Sequence, residues 1–285
     1  MKFAFFILWL LHWLPLSWID KLARPLSWIG WKLAHERRHV GMTNLRMCFP
    51  EKDEAWRAKI IRENFHGMVR MILEYGVMWH ASPERLKRLV TLKNMHHLEA
   101  HRDENVVLLY SHFVGLEMCA YRFNLERAFV GMYSKQKNAQ FDQRIYEGRM
   151  RFNNAKMLSR QEGVRSIVRA MRDHTPLLYV PDQDLGPKES IFVPFFGHPA
   201  ATISSLSRLA KLAKARVVPV VARRIGHRYE MEFFPAWEDF PTEDIVADTR
   251  RMNAFVEARI REQPVQYFWL HKRFKTRPEG EARIY

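Results

Sequence analysis

The chain has 285 residues, enough for one sizeable α/β domain, and its 47% hydrophobic content, interrupted throughout by charges and turns, excludes a disordered polymer. Forty-six Lys and Arg against 31 Asp and Glu leave a net charge of +15, which favours anionic partners such as nucleic acid, acidic lipid or an acidic carrier protein. Two cysteines, Cys48 and Cys119, lie far apart in apolar settings, so neither a disulfide framework nor a CxxC zinc site is indicated, and a reducing compartment fits.

Residues 3–19, FAFFILWLLHWLPLSWI, carry no formal charge. As a helix this run would reach roughly 25 Å at ~1.5 Å per residue, a little short of a bilayer core. Trp13, Trp18, Trp28 and Trp31 suit a membrane interface and give no signal-peptide cleavage site, while Lys21, Arg24, Lys32, Arg37 and Arg38 follow at once. The expectation is a retained N-terminal membrane anchor helix with a juxtamembrane segment over 1–32, the remainder (33–285) forming a single cytoplasmic domain. The same run also fits a buried core helix, and Pro15 leaves open a kinked helix lying along the surface.

Residues 33–50 read as a short basic helix ending at Pro50, and 52–80 as a long amphipathic helix whose stripe includes Ile60, Ile61, Phe65, Met68, Met71, Ile72 and Tyr75. Val106–Tyr110 (VVLLY) is a buried strand running directly into Ser111-His112. Helices over 115–125, 140–152 and 161–173 alternate with strands over 128–133 and 176–180. A helix over 202–213 and a strand over 217–222 follow. Alternating RYEMEFF (228–234) fits a half-exposed antiparallel strand, and 242–262 a final helix. This order predicts an α/β fold, a mixed and mainly parallel sheet flanked by helices. Pro219 within Val217–Val220 points to an edge strand or to the lower wall of a crevice.

Two H-x4-E patterns occur. His227 and Glu232 lie on the alternating strand, where positions five apart point to opposite faces. His112 and Glu117 instead straddle a strand end and a helix start, where open α/β sheets place their ligand crevice. Within one helix the two would point roughly 140° apart, so the pair requires His112 in the turn, with Gly115 giving it room. A carboxylate on one ring nitrogen would fix the tautomer and leave the other nitrogen to take a proton from a hydroxyl; a satisfied structural histidine is the alternative. His35-Glu36-Arg37-Arg38-His39 spells HExxH, but its two arginines set positive charge beside a would-be cation, and no metal is expected. Arg149 and Arg151 suit a grip on phosphate or on a developing oxyanion, or an exposed basic helix. Asp182 and Asp184, beside the apolar FVPFFG stretch, suit a site that handles a headgroup and a chain together.

Taken together, several motifs resemble one family: His112-x4-Glu117, Met132-Tyr133 with Lys137-Asn138, Arg149-Met150-Arg151, Pro181-Asp182-Gln183-Asp184 with Gly186-Pro187, Val193-Pro194-Phe195-Phe196, and the tail from Trp269 to Pro278. That family is the late lipid A acyltransferases, the lauroyl and myristoyl transferases of Gram-negative bacteria, within the glycerolipid acyltransferase superfamily. Asn44-Leu45 and Cys48-Phe49-Pro50 extend the likeness over nearly the whole chain, although HERRHVGMT is less arginine-rich than usual there. The resemblance implies a glycerol-3-phosphate acyltransferase-like fold and a single-pass inner-membrane enzyme with its catalytic domain in the cytoplasm. It implies transfer of a fatty acyl chain from acyl carrier protein to a hydroxyl of a lipid A precursor, with no cofactor and no nucleic acid. It makes His112, Glu117 and Arg149 catalytic, and Lys137, Arg151, Asp182, Asp184, Phe195, Phe196 and Arg273 substrate-binding. Pro219 resembles the superfamily's fourth block. The basic tail, His271, Lys272, Arg273, Lys275 and Arg277, would offer a rim to an acidic carrier and a phosphorylated lipid. The alternatives are another lipid acceptor (a lysophospholipid or glycolipid), or a non-catalytic basic protein that binds membranes.

Overall fold

The computed structural model describes residues 2–135, 138–153, 155–159, 162–188 and 190–285. The apolar N-terminal run is not one helix. α1 (Lys2–Leu11) ends in a turn, and Pro15 starts α2 (Leu16–Leu33), where its missing N–H costs nothing. Among the described residues no helix is long and apolar enough to cross a membrane, which corrects the expected anchor helix. The physical cause is Pro15 together with Asp20, Lys21, Arg24 and Lys32 in the second helix.

α3 (His35–Cys48) and α4 (Glu54–His80) follow as read, with Asp53 capping α4 by accepting from the Trp56 N–H at 2.7 Å. α1 and α2 both lie against α4. A Cβ at Gly76 would sit 1.9 Å from the Leu8 carbonyl oxygen, so glycine there permits the backbones to touch. α2 is also tied by charge. Buried Asp20 accepts from His66 and from Arg70, both at 3.0 Å, and Arg70 donates to Glu74 at 2.6 Å. In α3, Glu36 pairs with Lys272 at 2.9 Å and His35 accepts from Arg38 at 2.6 Å, so the HExxH residues bind their neighbours.

The remaining elements are α5 (Pro83–Leu89), β1 (Val90–Lys93), α6 (His96–Glu99), β2 (Asn105–Leu109), α7 (Leu116–Asn124), β3 (Val130–Tyr133), α8 (Ala139–Arg149), β4 (Lys156–Ser159) and α9 (Gly163–Ala170). They continue with β5 (Leu177–Tyr179), β6 (Ser190–Phe195), β7 (His198–Ile203), α10 (Ser205–Ala213), β8 (Ala215–Ile225), β9 (Arg228–Phe233) and α11 (Ile245–Glu262). Seven strands form one sheet in the order β1-β9-β8-β2-β5-β3-β4, parallel throughout except where β8 meets β9. One face of the sheet carries the larger core, with Phe65, Met118, Phe123 and Phe129; the other is covered by α9, α10 and α11 through Ile167, Leu206, Leu209 and Met252.

Two readings change. Pro219 is not on an edge: β8 is internal, pairing with β2 over Ala215–Pro219 and with β9 from Val220 onward. Proline sits at the handover, where a strand tolerates the loss of one donor. Residues 190–203 are not an apolar patch opening a helix but an antiparallel hairpin, β6 to β7, turning through Phe196 and Gly197 at φ of 50° and 81°. Positive φ at both turn residues matches the twist of a tight hairpin.

Candidate active site

β2 and β5 are hydrogen-bonded neighbours, with Leu109 opposite Tyr179. Both strands end there, and the chains continue in step for three more residues. His112 and Asp182 therefore keep the strands' sequence offset of 70 and meet beyond the carboxyl edge of the sheet. Asp182 Oδ1 lies 2.6 Å from His112 Nδ1, and Oδ2 accepts from the His112 backbone N–H at 2.9 Å. Burial alone would raise the Asp182 carboxyl, but the charge and hydrogen bonds of His112 outweigh it and hold the carboxyl below its ordinary value. An ionised carboxylate only accepts, so Nδ1 carries a proton, and in the neutral ring it is Nε2 that presents the lone pair. Among the described residues Nε2 has no partner.

The turn around His112 is clamped from the other side by the C-terminal segment. Val114 donates to the Gln266 carbonyl at 2.8 Å and Phe268 to the His112 carbonyl at 2.9 Å. Asn64, fully buried on α4, bonds the Val265 and Tyr267 carbonyls at 2.7 and 2.6 Å. Gly115 lets α7 begin at once, because a Cβ there would lie 3.0 Å from the Tyr229 ring.

Glu117, expected on the imidazole, is turned away from it. It forms a two-point ion pair with Arg149 of α8, whose Nε lies 3.3 Å from Oε2 and whose Nη2 meets Oε1. The reason is geometric: Glu117 sits in the first turn of α7, which aims it between α7 and α8 and stabilises its charge at the helix N-terminus. Burial works against the Arg149 cation, yet the carboxylate raises its already high pKa further. Gly148 makes the approach possible, since a Cβ there would stand 2.2 Å from Tyr121 Oη and 2.6 Å from Trp79 Cδ1. Gly148→Ala is accordingly expected to cost about 1–3 kcal/mol. Thermal unfolding should show it as a fall of about 2–4 °C per kcal/mol, accompanied by loss of activity as Arg149 shifts.

His112, Glu117 and Arg149 line one pocket of about 370 Å³. Its apolar wall comes from Leu116 and Ala120 of α7, from Phe129, Gly131 and Met132 at β3, and from Met157 and Leu178. Tyr133, Ser134, Gln183 and Ser205 add polar groups. Val217–Val220 do not contribute; the wall lies on the other side of β2. Ala120, Met157 and Ser205 carried no sequence signal, because only strand order brings them to the pocket, whereas Gln183 lies within the Pro181–Asp184 motif.

The other expected binding residues hold the scaffold. Asp184, fully buried, accepts from Thr276 N and Oγ1 at 2.8 and 2.9 Å and from Gly186 N at 2.9 Å, fixing the C-terminal tail. Arg273 donates to the Ala201 carbonyl and Thr202 Oγ1, both at 2.8 Å, and Arg151 to the Met78 and Ala81 carbonyls at 2.9 and 2.6 Å. Phe195 packs on Phe196, Tyr267 and Phe274; Phe196 packs on Phe49 beneath Arg261. None of these five lines the pocket. Lys137 lies outside the described residues. Of the five residues expected to form a basic rim, Lys272 and Arg277 are ion-paired, Arg273 is buried and burial lowers His271 to about 4, while Lys275 is exposed.

Fold and pocket define an α/β protein whose strand-end crevice joins a carboxylate-held histidine to an apolar chamber. The family model for the bacterial lipid A biosynthesis acyltransferases matches residues 2–276, and the chain belongs to that family. It is an acyltransferase of lipid A biosynthesis. Among relatives, the lipid A biosynthesis lauroyltransferase of Escherichia coli is 33% identical, covering 98% of this chain and 92% of that one. The palmitoleoyltransferase of the same organism is 30% identical over 99% and 93%, and its myristoyltransferase 30% identical over 95% and 85%. Of solved structures, the 1-acyl-sn-glycerophosphate acyltransferase of Thermotoga maritima aligns over 80% of this chain and 95% of its own, at 12% identity and a TM-score of 0.38.

Proposed function

We propose that the chain moves a fatty acyl group from an acyl carrier protein thioester to a hydroxyl of a lipid A precursor, with His112 as general base. The observation that carries this is the Asp182 carboxylate on Nδ1, which leaves the lone pair of Nε2 available at the pocket. The hydroxyl proton passes to Nε2 as its oxygen bonds the thioester carbonyl carbon. Arg149 steadies the oxyanion, the C–S bond breaks on collapse, and the proton goes to the departing thiolate. Asp182 holds the imidazolium meanwhile, the part first expected of Glu117; Glu117 holds Arg149.

The membrane is the second partner in this reading. α1, α2 and the turn between them carry Phe3, Phe6, Trp9, Trp13, Trp18, Leu22, Trp28 and Leu33 outward, with Lys21 and Lys32 set against Trp18 and Trp28. Two short helices with an aromatic, basic-flanked face suit a position in the plane of the headgroups rather than across the bilayer. The proposed location is the cytoplasmic face of the inner membrane. Replacing Trp13, Trp18 and Trp28 together by serine is expected to cut sedimentation with anionic phospholipid vesicles at least tenfold while melting temperature holds; undiminished sedimentation removes this part of the reading.

The reaction is tested by mass spectrometry of a Kdo-bearing lipid A precursor and of lysophospholipids, each incubated with protein and acyl carrier protein thioesters. A gain of one acyl group on the lipid A precursor is expected. Gain on lysophospholipid alone refutes the proposed acceptor.

A further inference from the structure

A second pocket, of about 550 Å³, opens where three parts of the chain meet: the turn between α1 and α2, the end of α5, and the start of β9. Pro15, Leu16 and Leu89 line it with apolar surface, and exposed Trp13 adds an indole. Arg85, Arg88 and Arg228 line it with positive charge beside His227, and no carboxylate does. Arg85 is committed to the protein. It donates to the His12 carbonyl and, at 2.5 Å, to the Leu14 carbonyl, which fixes the turn between α1 and α2. Burial and the neighbouring Arg88 cation both lower its pKa. Arg88 and Arg228 are exposed, and among the described residues their guanidinium groups have neither an ion pair nor a hydrogen bond. Glu84, one turn before Arg88 on α5, does not pair with it.

The place of this pocket in the fold narrows what reaches it. β8 pairs with β2 as far as Pro219, opposite Leu109, and then runs on to Ile225. Those six further residues carry the turn into β9 roughly 20 Å past the end of β2, at ~3.3 Å per residue, on the same edge of the sheet as His112. The turn between α1 and α2 meets it there through Trp13 and Ser17. Unpaired guanidinium groups beside an outward indole match one ligand chemistry, a phosphate with hydrocarbon attached.

We infer that this pocket is a headgroup site for an anionic phospholipid of the bilayer, its phosphate contacted by Arg88 and Arg228 and its glycerol and upper chain by Trp13 and Leu89. The inference rests on the membrane reading above and deepens it from a face to a site. One bound lipid joins the turn between α1 and α2, α5 and the turn into β9, and so sets the catalytic edge of the sheet toward the leaflet.

The test is sedimentation of the full chain with vesicles of phosphatidylcholine alone and of phosphatidylcholine with phosphatidylglycerol. Arg88→Gln combined with Arg228→Gln is expected to weaken binding to the anionic vesicles by at least about tenfold and to leave binding to the neutral ones unchanged. Arg165→Gln combined with Arg169→Gln removes the same charge from the exposed side of α9, near Asn105 at the opposite edge of the sheet, and is expected to cost about twofold or less. Equal melting temperatures verify that both pairs fold; if the first does not, its two single variants, each expected to lose about threefold, decide instead. Equal losses in the two pairs, or no loss in either, overturn the inference, because net charge and not the pocket would then account for binding. Inorganic phosphate at constant ionic strength is expected to leave sedimentation unchanged. If it releases the protein as fully as the first pair of substitutions, the site takes free phosphate and the lipid assignment falls. Wild-type protein that sediments with neither vesicle is a different result, because it refutes the membrane reading and the inference with it.

Discussion

Asp182→Asn is expected to lower the rate of acyl transfer by about 10²–10⁴-fold. The two oxygens of Asp182 each accept a hydrogen bond from His112, one from Nδ1 and one from the backbone N–H. An amide has one accepting oxygen. With that oxygen on the backbone N–H, the amide NH2 faces Nδ1 and forces the proton to Nε2, where it blocks the base. With the amide reversed, the backbone N–H faces another donor and the turn holding His112 is lost. Steady-state kinetics should therefore show the loss in kcat, since the ring's protonation and not the pocket wall has changed. An Asp182→Asn protein of near wild-type turnover would mean that another group orients the ring.

Arg149→Met is expected to remove two things at once. It strands the buried Glu117 carboxylate without its cation, at a cost of about 3–5 kcal/mol. Thermal melting reads that as a fall of roughly 10 °C, at about 2–4 °C per kcal/mol. It also deletes the cation beside His112, worth about 10²–10³ in rate for an oxyanion donor. Combining it with Glu117→Gln separates the two, because the second change removes the stranded charge. The double variant should regain most of the melting temperature and none of the activity. Recovery of both would make the pair a strut; recovery of neither would place Glu117 in the chemistry.

Composition and periodicity made the central strands legible, because β2 and β8 are buried on both faces and so read as unbroken apolar runs. His112 was legible for the same reason: the run ends at Tyr110, two residues before it. Its partner was not. Nothing within one segment reveals that β5 lies beside β2 in a register that carries Asp182 to His112, whereas Glu117 was close in sequence and thus the natural candidate. The hairpin at residues 190–203 was hidden by Pro194 and Pro199, which demote a strand reading but pair opposite each other on a two-stranded sheet. The N-terminal run misled through its uniform hydropathy. Pro15 divides it, and Leu11, Leu16 and Ile19 are spent on the core while Phe3, Phe6, Trp9, Trp13 and Trp18 face outward.

The most direct test of His112 as the base is quantitative mass spectrometry of the acylated lipid A precursor made by wild-type and His112→Ala protein, matched for melting temperature. The account predicts one added acyl group with the wild type and a yield at least about a hundredfold lower with the variant, the smallest effect ordinarily ascribed to a general base. Transfer by His112→Ala at a rate near that of the wild type would contradict it.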